Sequence, residues 1–227
     1  MIQVTPSILS RNPKEIAKQI ENLLPFYTHF QIDFADGKFV DNTLCSPKDL
    51  ASVLDEWHLS NDMNFDLHLM VQNPKEWIAE IQREFTKYKI HRILIHINTF
   101  KPEEFEEIQK VSTAQIGVAL NPEDSVENLK ISFPNLNTIP FIQLMTVIPG
   151  KQGNKFIPQA CNKIEQLRRA EYAGEILLDG GISKETIIYI QSLKYQPDII
   201  APGSYLSKSE NLEKTVTELT ELLQKHS

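Results

Sequence analysis

Apolar residues along the chain gather in short runs separated by longer amphipathic stretches. The runs 2–9, 30–34, 65–70, 93–97, 116–120, 141–147, 176–178 and 199–201 read as strands buried on both faces. After them, apolar positions recur at helical spacing over 13–24, 47–57, 74–88, 102–111, 125–131, 158–172, 183–193 and 212–226. One local pattern marks helix starts: Asn12-Pro13-Lys14-Glu15, Ser46-Pro47-Lys48-Asp49, Asn73-Pro74-Lys75-Glu76 and Asn121-Pro122-Glu123-Asp124, with Lys101-Pro102-Glu103-Glu104 a looser copy. A small polar residue can accept from a free helix N–H. Proline at the first helical position loses no needed donor, and acids in the first turn suit the helix dipole.

Eight strands alternating with eight helices predict a parallel sheet. In a chain of 227 residues, a little under the ~250 typical of the class, eight such units predict an α/β fold, a single (β/α)8 TIM barrel. No linker or change of composition interrupts residues 1–227, so one domain is expected. An open doubly wound sheet would place a glycine fingerprint after its first strand. Here Ile8-Leu9-Ser10-Arg11-Asn12-Pro13 contains no glycine.

Composition narrows the function. Hydrophobic residues make up 41% of the chain and charged residues 23%, enough apolar material for a sizeable core and too much for a disordered chain. The net charge is −7 without a dense basic block, which argues against nucleic acid as a partner. No apolar run approaches the roughly 18 residues of a membrane span, and the start lacks the pattern of a signal peptide. Cys45 and Cys161 have no C-x-x-C spacing and read as two unpaired thiols in a reducing, cytoplasmic setting.

In a barrel of this class, chemistry sits at the C-terminal ends of the strands. Five of the eight glycines, Gly150, Gly153, Gly180, Gly181 and Gly203, follow the last three predicted strands. Glycine permits positive φ and close backbone approach, and loops there commonly hold phosphate through backbone N–H groups, to which Ser204 could add a hydroxyl. Asp33 ends the second predicted strand and Asp179 the seventh. Alternation puts Asp66, His68 and Met70 on one face. His68 reads equally well as a ligand or a core histidine, and His96 as a buttress. Asp36 is expected to brace the Asp36-Gly37 turn. Met70 and Met145 could pack on a flat intermediate or simply fill the core. His29, His58, His91 and His226 show no constellation.

These motifs resemble the ribulose-phosphate 3-epimerase family through essentially the whole chain. The resemblance lies in Thr5-Pro6-Ser7-Ile8-Leu9-Ser10, the segment from Ile32-Asp33-Phe34-Ala35-Asp36-Gly37 to Asn42, and Asp66-Leu67-His68-Leu69-Met70-Val71. It continues through Met145-Thr146-Val147-Ile148-Pro149-Gly150-Lys151-Gln152-Gly153, Leu178-Asp179-Gly180-Gly181-Ile182 and Gly203-Ser204. It implies an isomerase of carbohydrate metabolism, in the pentose phosphate pathway, interconverting D-ribulose 5-phosphate and D-xylulose 5-phosphate through a cis-enediolate. Asp33 and Asp179 would be acid and base. A divalent cation (zinc, iron, manganese or cobalt) would be held by Asp33, His68 and Asp179. Ser7, His68, Met70 and Met145 would touch the sugar. Gly150, Lys151, Gln152, Gly153, Gly180, Gly181, Gly203 and Ser204 would hold the phosphate. The resemblance leaves a homo-oligomer open.

The chain departs from the family pattern at several points. Gln31 stands where the family has its fourth metal ligand, a histidine, and an amide is a poorer ligand for zinc or iron than imidazole. Ala35 replaces a methionine, Lys38 a histidine, Asp41 a proline and Ile148 an asparagine, while Lys151 and Gln152 replace an aromatic residue and a glycine. Two alternatives follow: an epimerase of another ketose phosphate, or a catalytically weak sugar-phosphate-binding protein.

Overall fold

The computed structural model describes residues 2–59, 62–150 and 153–224. Its strands are β1 (Gln3–Val4), β2 (Ser7–Ile8), β3 (His29–Ala35), β4 (Asn64–Met70), β5 (Lys89–His96), β6 (Gln115–Leu120), β7 (Phe141–Met145), β8 (Glu175–Asp179) and β9 (Ile199–Ala201). Helices α1 (Pro13–Leu23), α2 (Pro47–Glu56), α3 (Pro74–Glu84), α4 (Pro102–Val111) and α5 (Val126–Ser132) follow strands in turn, as do α6 (Asn162–Arg169), α7 (Lys184–Gln191) and α8 (Ser204–Ser207), and α9 (Leu212–Gln224) follows α8. Each strand from β3 onward lies beside its predecessor in the chain, the order of a (β/α)8 barrel, which is the fold class.

The chain divides into two compact units, residues 7–118 and residues 1–6 with 119–227. In the first, β2, β3, β4 and β5 pair in parallel, with Ser7 opposite Gln31 and Asp33 opposite His68. Phe30, Ile32, Phe34, Phe65, Leu67 and Leu69 are fully buried with Ile16, Ile20, Leu50 and Leu54 of the helices. Phe34, Phe65, Phe85 and Tyr88 meet edge to face, an arrangement that adds to the gain from area burial. Alternation then leaves His29, Gln31, Asp33 and Ala35 on the opposite face of β3. In the second unit, β7, β8, β9 and β1 pair in parallel, with Met145 opposite Asp179. Ile142, Leu144, Ile176 and Leu178 are buried with Ile164, Leu167, Ile187 and Ile190.

The structure corrects several expected boundaries. The first strand is two short ones: Thr5 N still donates to Ile200 O, but Pro6 has no N–H, and the ladder stops there. Strand β5 begins earlier than its apolar run because Lys89, Ile90 and Arg92 pair with β4 despite the polarity of this stretch. Helix α3 ends at Glu84, and Phe85 and Tyr88 pack as a loop. The 158–172 helix opens as a 3-10 turn over Pro158–Cys161. Asn121-Pro122-Glu123-Asp124 is a turn rather than a helix start: Asp124 Oδ2 accepts from Asn121 N at 2.7 Å, and Ser125 caps α5 instead. Asn12 and Ser46 do cap their helices, whereas Asn73 turns its amide to Glu76. Both cysteines are free and buried, and burial pushes Cys45 up to about 12 and Cys161 to about 11, so neither is a ready nucleophile.

Asp36 fastens the loop after β3, as expected. Its Oδ1 accepts from Lys38 N at 2.8 Å and Phe39 N at 3.0 Å, and its Oδ2 from Gln72 N at 2.8 Å. Partial burial opposes ionisation, but the N–H groups of Gln72, Phe39 and Lys38 outweigh it and hold the carboxyl below its usual range. Such a group stabilises the fold above its unfolded pKa and loses that contribution as pH falls through the folded value. Asp36→Ala should therefore lower unfolding free energy by about 1–3 kcal/mol near neutral pH, with the deficit shrinking in acid. Urea titrations at both pH values check this; an equal deficit at both would contradict it.

Candidate active site

On the polar face of β2 to β5, Asp33 lies buried among donors. Ser7 Oγ donates to its Oδ2 at 3.2 Å, Gln31 Nε2 donates to its Oδ1 at 3.1 Å, and His68 Nδ1 lies 3.2 Å from the same oxygen. The other nitrogen of His68, Nε2, lies 2.9 Å from His96 Nε2. His68 and His96 are fully buried, and the ring of Phe39 lies against His96, centroids 4.5 Å apart. Burial first, and then the neighbouring His68, hold the pKa of His96 well below the ordinary histidine value, so His96 is neutral.

Neutrality constrains the proton positions. Two facing Nε2 atoms share one hydrogen, so one donates and the other accepts. A neutral His68 with its hydrogen on Nδ1 donates to Asp33 and accepts at Nε2 from His96. A cation at Nδ1 would reverse both tautomers, with His68 Nε2 donating to His96. His96 can serve in either state, the part an outer partner plays beside a metal-binding histidine. The carboxylate oxygen and imidazole nitrogen, 3.2 Å apart, are a donor pair suited to a divalent transition cation. Gln31 turns its NH2 toward Asp33, so at this position the chain has a hydrogen-bond donor where an imidazole nitrogen would be a ligand.

In residues 119–227, Asp179 ends β8 and is buried. Gln143 Nε2 donates to its Oδ2 at 3.0 Å and lies 3.4 Å from Met145 Sδ. Thr146 N donates to the Asp179 backbone oxygen at 2.7 Å, tying the loops after β7 and β8 together. Gly180 has φ +112°, and a Cβ there would stand 2.5 Å from Val147. Gly181 has φ +63° with Phe156 against it, and Gly150 and Gly153 also have positive φ. Gly203, at φ −100°, does not need glycine's left-handed freedom; it precedes Ser204, which opens α8. Lys151 and Gln152 lie outside the described residues.

Three features escaped the sequence reading. Gln143 braces Asp179 much as Gln31 braces Asp33; its signal was one polar residue in the apolar run Phe141-Ile142-Gln143-Leu144-Met145. Lys208 brings its Nζ to 3.7 Å from the position a Cβ would take at Gly153, placing a positive charge beside the glycine loop. The expectation that His29 and His91 belong to no constellation is corrected, because both converge on the buried Asp66. His96 holds the buttressing place expected of it, and Met70 is buried with Ala35 and Leu44.

The fold is a (β/α)8 barrel with buried carboxylates on β3 and at the end of β8. The chain matches the model of the Ribulose-phosphate 3 epimerase family over residues 3–206. It is 29% identical to a ribulose-phosphate 3-epimerase of Bacillus subtilis (strain 168), covering 96% of this chain and 98% of that protein. It is 27% identical to the cytoplasmic isoform of rice (Oryza sativa subsp. japonica), covering 82% of this chain and 79% of that protein. Among solved structures, KGPDC from Streptococcus mutans superposes with a TM-score of 0.68 at 11% identity, covering 99% of this chain and 98% of that one. A tryptophan synthase alpha-subunit from Pyrococcus furiosus gives 0.69 at 16% identity, with 97% of each chain covered. These two likenesses concern the fold alone. The chain belongs to the ribulose-phosphate 3-epimerase family, and it is an epimerase. No helix among the described residues is long and apolar enough to cross a membrane.

His96→Leu should lower stability by about 1–3 kcal/mol, because it removes the polar contact to the buried His68 Nε2. His96→Gln, which keeps a polar group, should recover part of this. Denaturant unfolding of both variants measures the difference; equal losses would mean that His96 acts by volume alone.

Proposed function

We propose that this chain, as a single domain over 1–227, interconverts D-ribulose 5-phosphate and D-xylulose 5-phosphate in the cytoplasm. The observation that carries this reading is the family match over 3–206, which includes Asp33, His68 and Asp179 at strand positions where barrel chemistry occurs. Inversion at the third carbon requires a proton to leave one face of the sugar and another to arrive on the other. One aspartate, as carboxylate, takes the proton from that carbon. The C–H electron pair moves into the adjacent carbonyl and gives a planar cis-enediolate. The second aspartate, as carboxylic acid, returns a proton to the opposite face while the carbonyl re-forms. The pair needs opposite protonation states at the start and exchanges them in each turnover.

Ser7 and Gln31 hold Asp33 in place, and Gln143 holds Asp179, so each carboxylate meets the substrate with fixed orientation. A divalent cation of the zinc, iron, manganese or cobalt class would be held by Asp33, His68 and Asp179 and would offset the charge developing on the substrate oxygens. Met70 and Met145 would lie against the flat intermediate. Backbone N–H groups at Gly150, Gly153, Gly180, Gly181 and Gly203, with the Ser204 hydroxyl and Lys208, would take the phosphate, aided by Lys151 and Gln152.

A second reading, a different ketose phosphate, is favoured by one observation. Ala35 and Lys38, near Asp33 in the chain, are both changed from the family pattern. Comparing kcat/KM across ketose phosphates separates the two readings. Binding of the sugar phosphate without turnover, whichever cation is added, would instead favour a binding protein.

Asp33→Asn and Asp179→Asn should each abolish exchange of the third-carbon hydrogen with solvent, followed by NMR in deuterated water. Exchange at the wild-type rate in either variant would remove that residue from its role. Gln31→His should tighten cation binding by about 10-fold or more, since imidazole replaces an amide. Unchanged affinity by titration calorimetry would show that position 31 does not face the ion.

A further inference from the structure

The strands β3, β4 and β5 carry a second polar cluster near their N-terminal ends, away from Asp33 and His68. Asp66, the third residue of β4, is completely buried. Its Oδ1 lies 2.9 Å from His29 Nε2 and 3.6 Å from His91 Nδ1. The three atoms all lie within 4.8 Å of one another. Arg92 Nη1 takes the other carboxylate oxygen, Oδ2, at 3.1 Å. Asp66 and His68 are two residues apart on one face, which along a strand is about 6.6 Å, so this is a separate centre one layer from His68.

The local backbone is shaped for this convergence. Between β4 and β5 the register shifts at Phe65 and Asp66: Phe65 pairs with Ile90, but Asp66 pairs with Arg92. His91 is the extra residue of a β-bulge, a device that re-aims a side chain. It brings the consecutive residues His91 and Arg92 onto the two oxygens of one carboxylate.

Two imidazole nitrogens close on one carboxylate oxygen without standard hydrogen-bond alignment. His29 Nε2, Asp66 Oδ1 and His91 Nδ1 are all buried atoms, and none makes an aligned hydrogen bond among the described residues despite the short separations. A histidine paired with a carboxylate aims its N–H along the line to the oxygen. Atoms that surround an ion aim at a common point between them instead. Ligands about 2.0–2.1 Å from a tetrahedral ion stand roughly 3.3 Å apart, and 2.9 Å and 3.6 Å bracket that spacing.

We infer that His29, Asp66 and His91 form a second metal site, for a divalent transition cation of the zinc class. Two imidazoles and one carboxylate are a common zinc donor set with room for a water in the fourth position. The His29 and His91 side chains are 28% and 42% exposed, so the ion enters from solvent while Asp66 anchors it from within. Arg92 plays the outer part, fixing Asp66 so that Oδ1 is the oxygen presented. The ion would fasten three adjacent strands and contribute stability in proportion to its binding. This inference does not rest on the proposed reaction.

The test uses the full-length Asp33→Asn protein, in which the proposed catalytic cation is weakened. Added zinc should shift the ring nitrogen signals of His29 and His91 in long-range proton–nitrogen NMR spectra, and should raise the melting temperature. Adding His91→Gln or His29→Gln should remove the bound zinc measured after dialysis, and with it the thermal shift. In an otherwise wild-type chain, His91→Gln should leave turnover unchanged. Asp66→Asn is less suitable, since it disturbs a buried Arg92 pair. If zinc in excess leaves both histidine signals in place, or if the His91→Gln and His29→Gln double variants bind zinc as tightly as their Asp33→Asn parent, the inference is overturned.

Discussion

The arrangement around Asp33 depends on satisfying a carboxyl group where almost no water reaches it. A buried polar group left without hydrogen-bond partners costs about 1–3 kcal/mol, a large fraction of a fold's net stability. Ser7, Gln31 and His68 meet that demand from β2, β3 and β4. His68 then has a second nitrogen to satisfy, and His96 of β5 supplies the contact. One buried carboxyl group therefore sets polar side chains on four successive strands, and each depends on register. A slip of one residue would turn the polar face into the apolar layer and bring Phe30, Ile32 and Phe34 out of it.

Asp179 is held by the same device in a shorter form. Gln143 donates to its carboxylate, while Thr146 takes its backbone oxygen and draws together the loops that contain the glycines. The positive φ of Gly180 and Gly181 and the side chains packed against them leave no space for a Cβ. Without a Cβ, the backbone N–H groups of these loops can approach an anion closely, even in a protein whose net charge is negative. Lys208 adds one positive charge, which suits recognition of a dianion without a strongly basic surface.

Much of the fold was legible because the strands form short apolar runs and several helices announce themselves with a proline after a small polar residue. Boundaries were lost where one local rule had two outcomes. Asn121-Pro122-Glu123-Asp124 looks like a helix start, but Asp124 folds back to Asn121 N before a helix can begin. Asp33, His68 and Asp179 were legible because each is a polar residue at or near the end of an apolar run, and the family resemblance gave them roles. Gln143 was hidden because a glutamine in a strand has no chemistry of its own until its partner is known. The His29, Asp66 and His91 group was hidden for a different reason. Its histidines lie far apart in sequence, and a bulge that no periodicity predicts turns His91 toward Asp66.

The measurement that bears most directly on the proposed chemistry is the fate of the third-carbon hydrogen when the wild-type protein meets D-ribulose 5-phosphate in deuterated water. Removal by one carboxylate and return by another predicts xylulose 5-phosphate carrying solvent deuterium at that carbon. Product that retains its original hydrogen, or substrate that stays unchanged while bound, would contradict epimerisation by a pair of aspartates.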